Sequence, residues 1–338
     1  MSVQTHFGNP LVEQRALAEG TAVVELAKSV IAVSGSERLT WLHSMLTADF
    51  ANLKPGISRE ALWLDVNGRV LNEFHAVDDG TSTFLIVDAA AVDGLLTQLD
   101  RMIFRADVSV RSCVDEFVVF GVCARLSSSV DCELVWVDPW PATVPGGVRY
   151  AKELPPRWVY EEHAVPVAAA SGFAAGFSLA GTDALEALRI AAHRPSIADV
   201  DERTLPHELD WLSTAVHMSK GCYRGQEAVA KTHNLGHPPR RVVFLHVDGS
   251  GHLTPRAGDE VLLGDVVVGS VTSAAVHYEA GPIALALVKR NTDVSAELVI
   301  RDAEGRTWSA AQEVLVPQDA GQAVGSPKRN LLMGGKHA

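Results

Sequence analysis

The sequence predicts an α+β chain that ends in an all-β module. Three observations carry that reading. Extended runs and amphipathic helical stripes alternate through the first 110 residues, around an Asn67-Gly68 hairpin signal. A looser version of the same alternation follows. Beyond Arg241 the texture changes to short strands separated by Gly, Asp and Pro turns. At 338 residues the chain exceeds one ordinary core. The expected units are therefore 1–112, 113–240 and 241–316, with a Gly/Lys/Asn-rich segment 317–338 that reads as a disordered tail.

In order along the chain, Ala22–Leu26 and Val30–Val33 read as strands. Ser36 stands where it can cap a helix whose Leu39, Leu42, Met45 and Leu46 form one stripe. Arg59–Val66 and Arg69–Val77 form the hairpin, and Thr83–Val87 is a further strand. A helix over Ala89–Met102 turns Val92, Leu95, Leu96 and Leu99 inward, and Val108–Val110 returns as a strand. Sheet with helices on one face, in split β-α-β fashion, fits this order. Phe117–Cys123 and Glu133–Val137 are strands. Asp138–Phe177 carries six prolines and reads as irregular connection. Asp183–His193 is a helix, with Asp183 and Glu186 as a capping pair. Val242–Val247, Glu260–Leu263, Val266–Thr272, Ile283–Val288, Ala296–Ile300 and Thr307–Val314 complete a small barrel or sandwich.

Composition removes several function classes. A net charge of −12 leaves no broad basic face, so neither nucleic acid nor an anionic membrane is an expected partner. No apolar run reaches the ~18–20 residues of a membrane span, and the first residues lack a secretory pattern, so cytoplasm is the expected location. The cysteines at 113, 123, 132 and 222 have neither zinc nor cluster spacing, so no resident metal site is expected. G-x-S-x-G, G-x-G-x-x-G and P-loop patterns are absent. The acidic group Asp199, Asp201 and Glu202 reads as a solvated loop.

One stretch departs from the acidic background. Residues 220–241, KGCYRGQEAVAKTHNLGHPPRR, carry five Lys/Arg against one Glu. Cys222 lies between Lys220 and Arg224, with Gly221 and Gly225 on either side and Tyr223 beside it. Flanking cations favour a thiolate, and glycines permit close approach or φ > 0. The same residues also fit a small side chain packed at a strand-to-helix turn. Gln226 and Glu227 start a helix, with Glu227 in the first turn; its free N–H groups could equally hold an anion. His233, His237, Arg240 and Arg241 form either a solvated linker or part of an anion site.

Lys220–Glu227, KGCYRGQE, resembles the K-G-C-Y-x-G-Q-E signature of the YgfZ family of folate-binding proteins linked to iron–sulfur cluster assembly or repair. These are relatives of the glycine-cleavage T-protein, an aminomethyltransferase. The resemblance spans most of the chain, through Leu188–Ile190, Thr204–Glu208 and the lead into the β module. It implies two ferredoxin-like α+β units and a β-barrel in a clover-leaf around a folate channel. It implies further that Cys222 faces that channel as the functional thiol, with Lys220, Gly221, Tyr223, Gly225, Gln226 and Glu227 in support. Arg224, Lys231, Arg240, Arg241 and Arg189 are then the candidates for an anionic tetrahydrofolate. Iron–sulfur enzymes or assembly proteins become the implied partners, with a cluster held only transiently, by Cys222. Where the transferases carry R-x-E-A-G, this chain has Arg189-Ile190-Ala191-Ala192-His193, without the carboxylate. Their Asn-Ala…Asp loop corresponds to Asp88–Asp93, without the Asn. The alternative activity, tetrahydrofolate-dependent one-carbon transfer, would then rest on Asp88 or Asp93.

Overall fold

A computed structural model describes residues 3–126, 134–251 and 253–321. Cys132 and most of the expected tail lie outside them. The chain opens with helix α1 (Pro10–Ala18), capped by the Asn9 side chain, and strand β1 (Ala22–Glu25). The first complete sheet follows. It contains β2 (Lys28–Ser34), β3 (Ser58–Leu64), β4 (Val70–Asp78), β5 (Ser82–Asp88) and β6 (Ser109–Ser112), in the spatial order β3-β4-β5-β2-β6. Helices α2 (Arg38–Met45) and α3 (Val92–Arg101) connect these strands. Period-2 alternation decides what each face touches. Ile31 and Val33 of β2 pack with Leu42, Leu95 and Leu99 of the helices. Val30 and Ala32, on the opposite face, pack toward Val119, Trp136 and Tyr160 of the second unit.

The second sheet has the order β10-β1-β7-β9-β8, with β7 (Phe117–Val122), β8 (Leu134–Val137), β9 (Glu161–Pro166) and β10 (Ser178–Leu179). Helices α4 (Val167–Ala174) and α5 (Thr182–Ala191) belong to it. Two expectations are corrected here. β1 pairs antiparallel with β7 and parallel with β10, so the start of the chain belongs to the second unit and not to a 1–112 domain. Asp138–Phe177 is not all connection, since it supplies β9, an interior strand, and α4. Its Glu161-Glu162-His163 run masks a strand whose polar side chains are buried.

Two cap readings also change. Ser36 donates to Asp107 at 2.6 Å, and α2 begins after Glu37 with no side-chain cap. Glu186 pairs with Arg189 at 2.6 Å, and α5 begins after Gly181. The third unit follows helix α6 (Gln226–Leu235). Its strands are β11 (Arg240–Val247), β12 (Glu260–Leu263), β13 (Val266–His277), β14 (Gly281–Lys289), β15 (Leu298–Arg301) and β16 (Thr307–Val314). They close into a barrel in the order β11-β14-β13-β12-β15-β16, filled by Val243, Leu245, Val261, Leu298, Ile300 and Trp308. Residues 317–321, the part of the expected tail that is described, pack back against the molecule, with Ala320 buried and its carbonyl 2.6 Å from His237 Nδ1. Among the described residues no helix is long and apolar enough to cross a membrane.

Candidate functional site

The KGCYRGQE loop is built around Gly225, whose φ of +84° lies in the left-handed region. A side chain there would also strike the carbonyl of Asp65, 2.5 Å from an ideal Cβ. The partner surface is the hairpin turn between β3 and β4, where Asp65 Oδ1 accepts the N–H of Asn67 and of Arg69, each at 2.8 Å. Glycines at 68 and 225 let that turn and the start of α6 meet. Lys220 is buried; its ammonium donates to the carbonyls of His43 and of Leu46, the latter at 2.6 Å. It thus serves the otherwise unpartnered C-terminal end of α2. Burial pulls the ammonium down to about 8. The same cation lies 5.0 Å from the ring of Tyr223, which is buried in the large interior cluster, and burial raises the phenol above its ordinary value.

The outcome for the thiol follows from these anchors. Cys222 is exposed, whereas Cys113 is buried and Cys123 half-buried, with burial pushing the Cys123 thiol up to about 12. Gln226 Nε2 donates to the Lys220 carbonyl at 3.1 Å and fixes the loop. Glu227, Arg224 and Lys231 are exposed around it. The resemblance implies a thiol facing a central channel, but Cys222 is not among the residues lining the central cavities. The candidate cations are also dispersed. Arg240 is held by Asp201 at 2.6 Å and Glu208 at 2.8 Å. Arg241 is fully buried at the barrel entrance and donates to the carbonyl of Thr292 and to Gln312. Arg189 alone of the named candidates lines a central cavity, bonded to Asp199 at 2.8 Å and to Ser273 of the barrel at 2.7 Å.

That cavity has a volume of about 320 Å³ and lies between the two sheets and α5, beside a second of about 370 Å³. Small-molecule sites typically run ~300–1,000 Å³. Lys28, Glu73, His75 and Asp88 line both. His75 stacks on Trp136 with centroids 3.6 Å apart, and its Nδ1 lies 2.8 Å from Glu162. Lys28 reaches Glu162 at 2.5 Å. Burial pushes the Glu162 carboxyl up, but His75 and Lys28 overcome it and hold the group down at about 2. Arg194 joins Glu60 at 2.6 Å and Asp138 at 3.0 Å, with Glu73 at 3.6 Å. Burial still pushes Glu60 up to about 7 against the pull of Arg194. Trp158 donates to Asp138 at 2.8 Å and stacks on Tyr160 with centroids 5.1 Å apart. Glu60, Glu73 and His75 lie close enough to hold a cation, and the Arg194 guanidinium already stands beside both carboxylates.

Sequence reasoning missed this network. Its members come from β2, β3, β4, β8, β9 and the turn after α5, so no local spacing reveals them. The available signal was charge at inward positions of apolar strands, as at Glu60, His75 and Glu162.

Comparison with known proteins now bears on both regions. Residues 240–317 match the glycine cleavage T-protein C-terminal barrel domain. A tRNA-modifying protein YgfZ from Vibrio vulnificus is 24% identical over 285 residues, covering 78% of this chain and 82% of that one. The solved aminomethyltransferase T of the glycine cleavage system from Bartonella henselae superposes with a TM-score of 0.72 at 17% identity, covering 94% of this chain and 92% of its own. The chain is similar in sequence to YgfZ proteins, and it shares the fold and the barrel domain of the T-protein. An Arabidopsis thaliana protein named as a candidate chloroplastic transferase is 25% identical over 279 residues, 76% of this chain; the match spans 62% of the plant protein's length.

Arg189–His193, the segment that the resemblance sets against the transferases' R-x-E-A-G, now has a physical reading. Ala191 ends α5 and packs against the interior cluster, without a carboxylate. His193 occupies the glycine position with φ of 56°, the left-handed residue that follows many helix ends.

Proposed function

We propose that the chain binds a reduced folate in the central cavity and serves iron–sulfur enzymes as an accessory protein, through the exposed Cys222. The single observation that carries the folate half is the wall of the 320 Å³ cavity. Trp158 and Tyr160 supply aromatic surface, and Glu186 and Asp88 offer acceptors for a pterin's N–H edge. The fit replaces the carboxylate missing at Ala191 with Glu186, five residues earlier on the same helix. A bound folate would supply a carrier for a one-carbon unit. The residues of this chain bind it, orient it and exclude water around it.

Accessory action through protein contact also fits the charge. The relatives named for tRNA modification are matched here by a chain of net charge −12, which disfavours direct RNA contact. Titration calorimetry with tetrahydrofolate and its 5-formyl form tests the ligand. Saturable binding that weakens in Glu186→Gln and survives in Cys222→Ser supports the reading; no heat with either ligand ends it. Loss of support for client cluster enzymes in Cys222→Ser, with folate affinity retained, tests the thiol. A second reading, one-carbon transfer, is favoured by one observation. Asp88 lines both central cavities, whereas Asp93 lies in the first turn of α3 and lines neither. Turnover of an aminomethyl donor that disappears in Asp88→Asn would establish it.

A further inference from the structure

A separate cavity of about 400 Å³ opens where residues 140–156 cross between the end of α5 and strands β11 and β16. It shares no lining residue with the central cavities. At its polar end stand Asp210 and Arg149, both buried apart from a narrow exposed edge. Asp210 Oδ1 accepts the N–H of Tyr150 at 2.6 Å, and Arg149 Nη2 donates to the carbonyls of Trp140 and Ala142. Asp210 Oδ2 and Arg149 Nη1 make no hydrogen bond. They face each other at 3.8 Å, too far to satisfy one another. Leaving a buried donor and acceptor unmet costs about 1–3 kcal/mol each.

The backbone adds an independent observation. Among the described residues two non-glycine positions have positive φ, His193 and Asp210, and both line this cavity. Each ends a helix, His193 after α5 and Asp210 after the 3-10 turn Pro206–Leu209, and the left-handed conformation there brings both residues to the same cavity wall. Glycine would suit both positions, yet each presents a polar side chain to the same space.

We propose that this cavity is a second ligand site, for a small molecule that presents an N–H donor beside a carbonyl acceptor: a carboxamide or a cyclic lactam. Both atoms are covered as the chain stands, so a side-chain rotation toward the cavity brings the donor onto Asp210 Oδ2 and the carbonyl onto Arg149 Nη1. Free carboxylates and phosphates are disfavoured, because Asp210, Glu153 and Glu313 outnumber the one arginine. Trp140, Leu209 and Leu315 give the planar remainder of the ligand an apolar wall.

The test is ligand titration of the full chain by calorimetry and ligand-observed NMR. Nicotinamide probes a carboxamide, uracil a lactam, and benzoate is an anion without the paired edge. Saturable binding of nicotinamide or uracil near 1 mM or tighter is expected, with benzoate at least tenfold weaker. The tighter of the two assigns the edge. Asp210→Asn turns the free acceptor into a donor while suiting the left-handed backbone, and is expected to weaken binding at least tenfold while tetrahydrofolate binding is unchanged. Should that variant not fold, wild-type protein still decides the matter through intermolecular NOEs from the probe to Val314 and Leu315 methyls. No saturation by either probe, equal affinity in Asp210→Asn, or NOEs to the central cavity instead would overturn the proposal; the first would leave only water between the two groups.

Discussion

The Cys222 loop and the central cavity solve the same problem, a cation in the interior, in opposite ways. In the loop, Lys220 spends its ammonium on carbonyls at the end of α2, and no carboxylate bonds it. In the cavity, Arg194, Lys28 and Arg189 are matched by Glu60, Asp138, Glu162 and Asp199. The loop is therefore a mechanical anchor that leaves one thiol in water. The cavity wall is an electrostatic unit, in which each member sets the charge of the next. Stability and ligand recognition should respond to the wall, and chemistry at the thiol should be indifferent to it.

The largest expected effect comes from breaking the wall. Arg194→Met leaves Glu60 and Asp138 buried without their counter-ion, and should cost about 3–5 kcal/mol in urea unfolding. A loss below about 1 kcal/mol would mean that the carboxylates hold protons and need no partner. Next is Gly225→Ala, which combines left-handed backbone with a Cβ 2.5 Å from the Asp65 carbonyl. The conformational part alone is about 1–2 kcal/mol, and the collision adds to it; an unchanged melting curve would show that the hairpin and α6 do not depend on this contact.

A pH measurement sharpens the contrast from outside both regions. Burial raises Asp210 to about 6, above its unfolded value of 3.8. Between those values the folded chain binds a proton that the unfolded chain does not, so stability falls as pH rises from about 4 to 6. The contribution is at most about 3 kcal/mol, and Asp210→Asn should remove that slope from the urea midpoints. A smaller effect is expected for Lys220→Met, about 1–2 kcal/mol for the lost carbonyl contacts. Its Cys222 alkylation rate at neutral pH should stay within about twofold of wild type, since the ammonium is committed elsewhere. A tenfold fall in that rate would restore the activated-thiolate reading of the motif. The smallest effect belongs to Cys222→Ser, within about 0.5 kcal/mol, as for other exposed positions.

The barrel was the most legible part of the chain. Thr307–Val314 and Glu260–Leu263 match their strands residue for residue, because alternation and turn residues act locally. The Asn67-Gly68 turn was legible for the same reason. β9 was not, since a strand buried among charged partners breaks the alternation that identifies strands. Ser36 is not a cap because a tertiary partner, Asp107, claims its side chain, and Glu186 is drawn to Arg189 three residues on in the same helix. At the site, composition marked residues 220–227 as unusual. It could not show that Lys220 and Tyr223 face inward, nor collect Lys28, His75, Glu162 and Arg194 into one wall.

The placement of β1 has a consequence for the order in which the protein is made. Residues 22–25 leave the ribosome early, but their parallel neighbour, at Ser178 and Leu179, is synthesised roughly 150 residues later. Meanwhile the sheet spanning 28–112 has all of its own strands and can close at once. The apolar Ala22-Val23-Val24 segment must wait, exposed, beside an already folded neighbour. A ribosome-stalled chain with residues 1–112 clear of the exit tunnel should thus be cut by protease within residues 1–25 and resist cutting between 28 and 112. Strand β1 is among the last pieces to find its place.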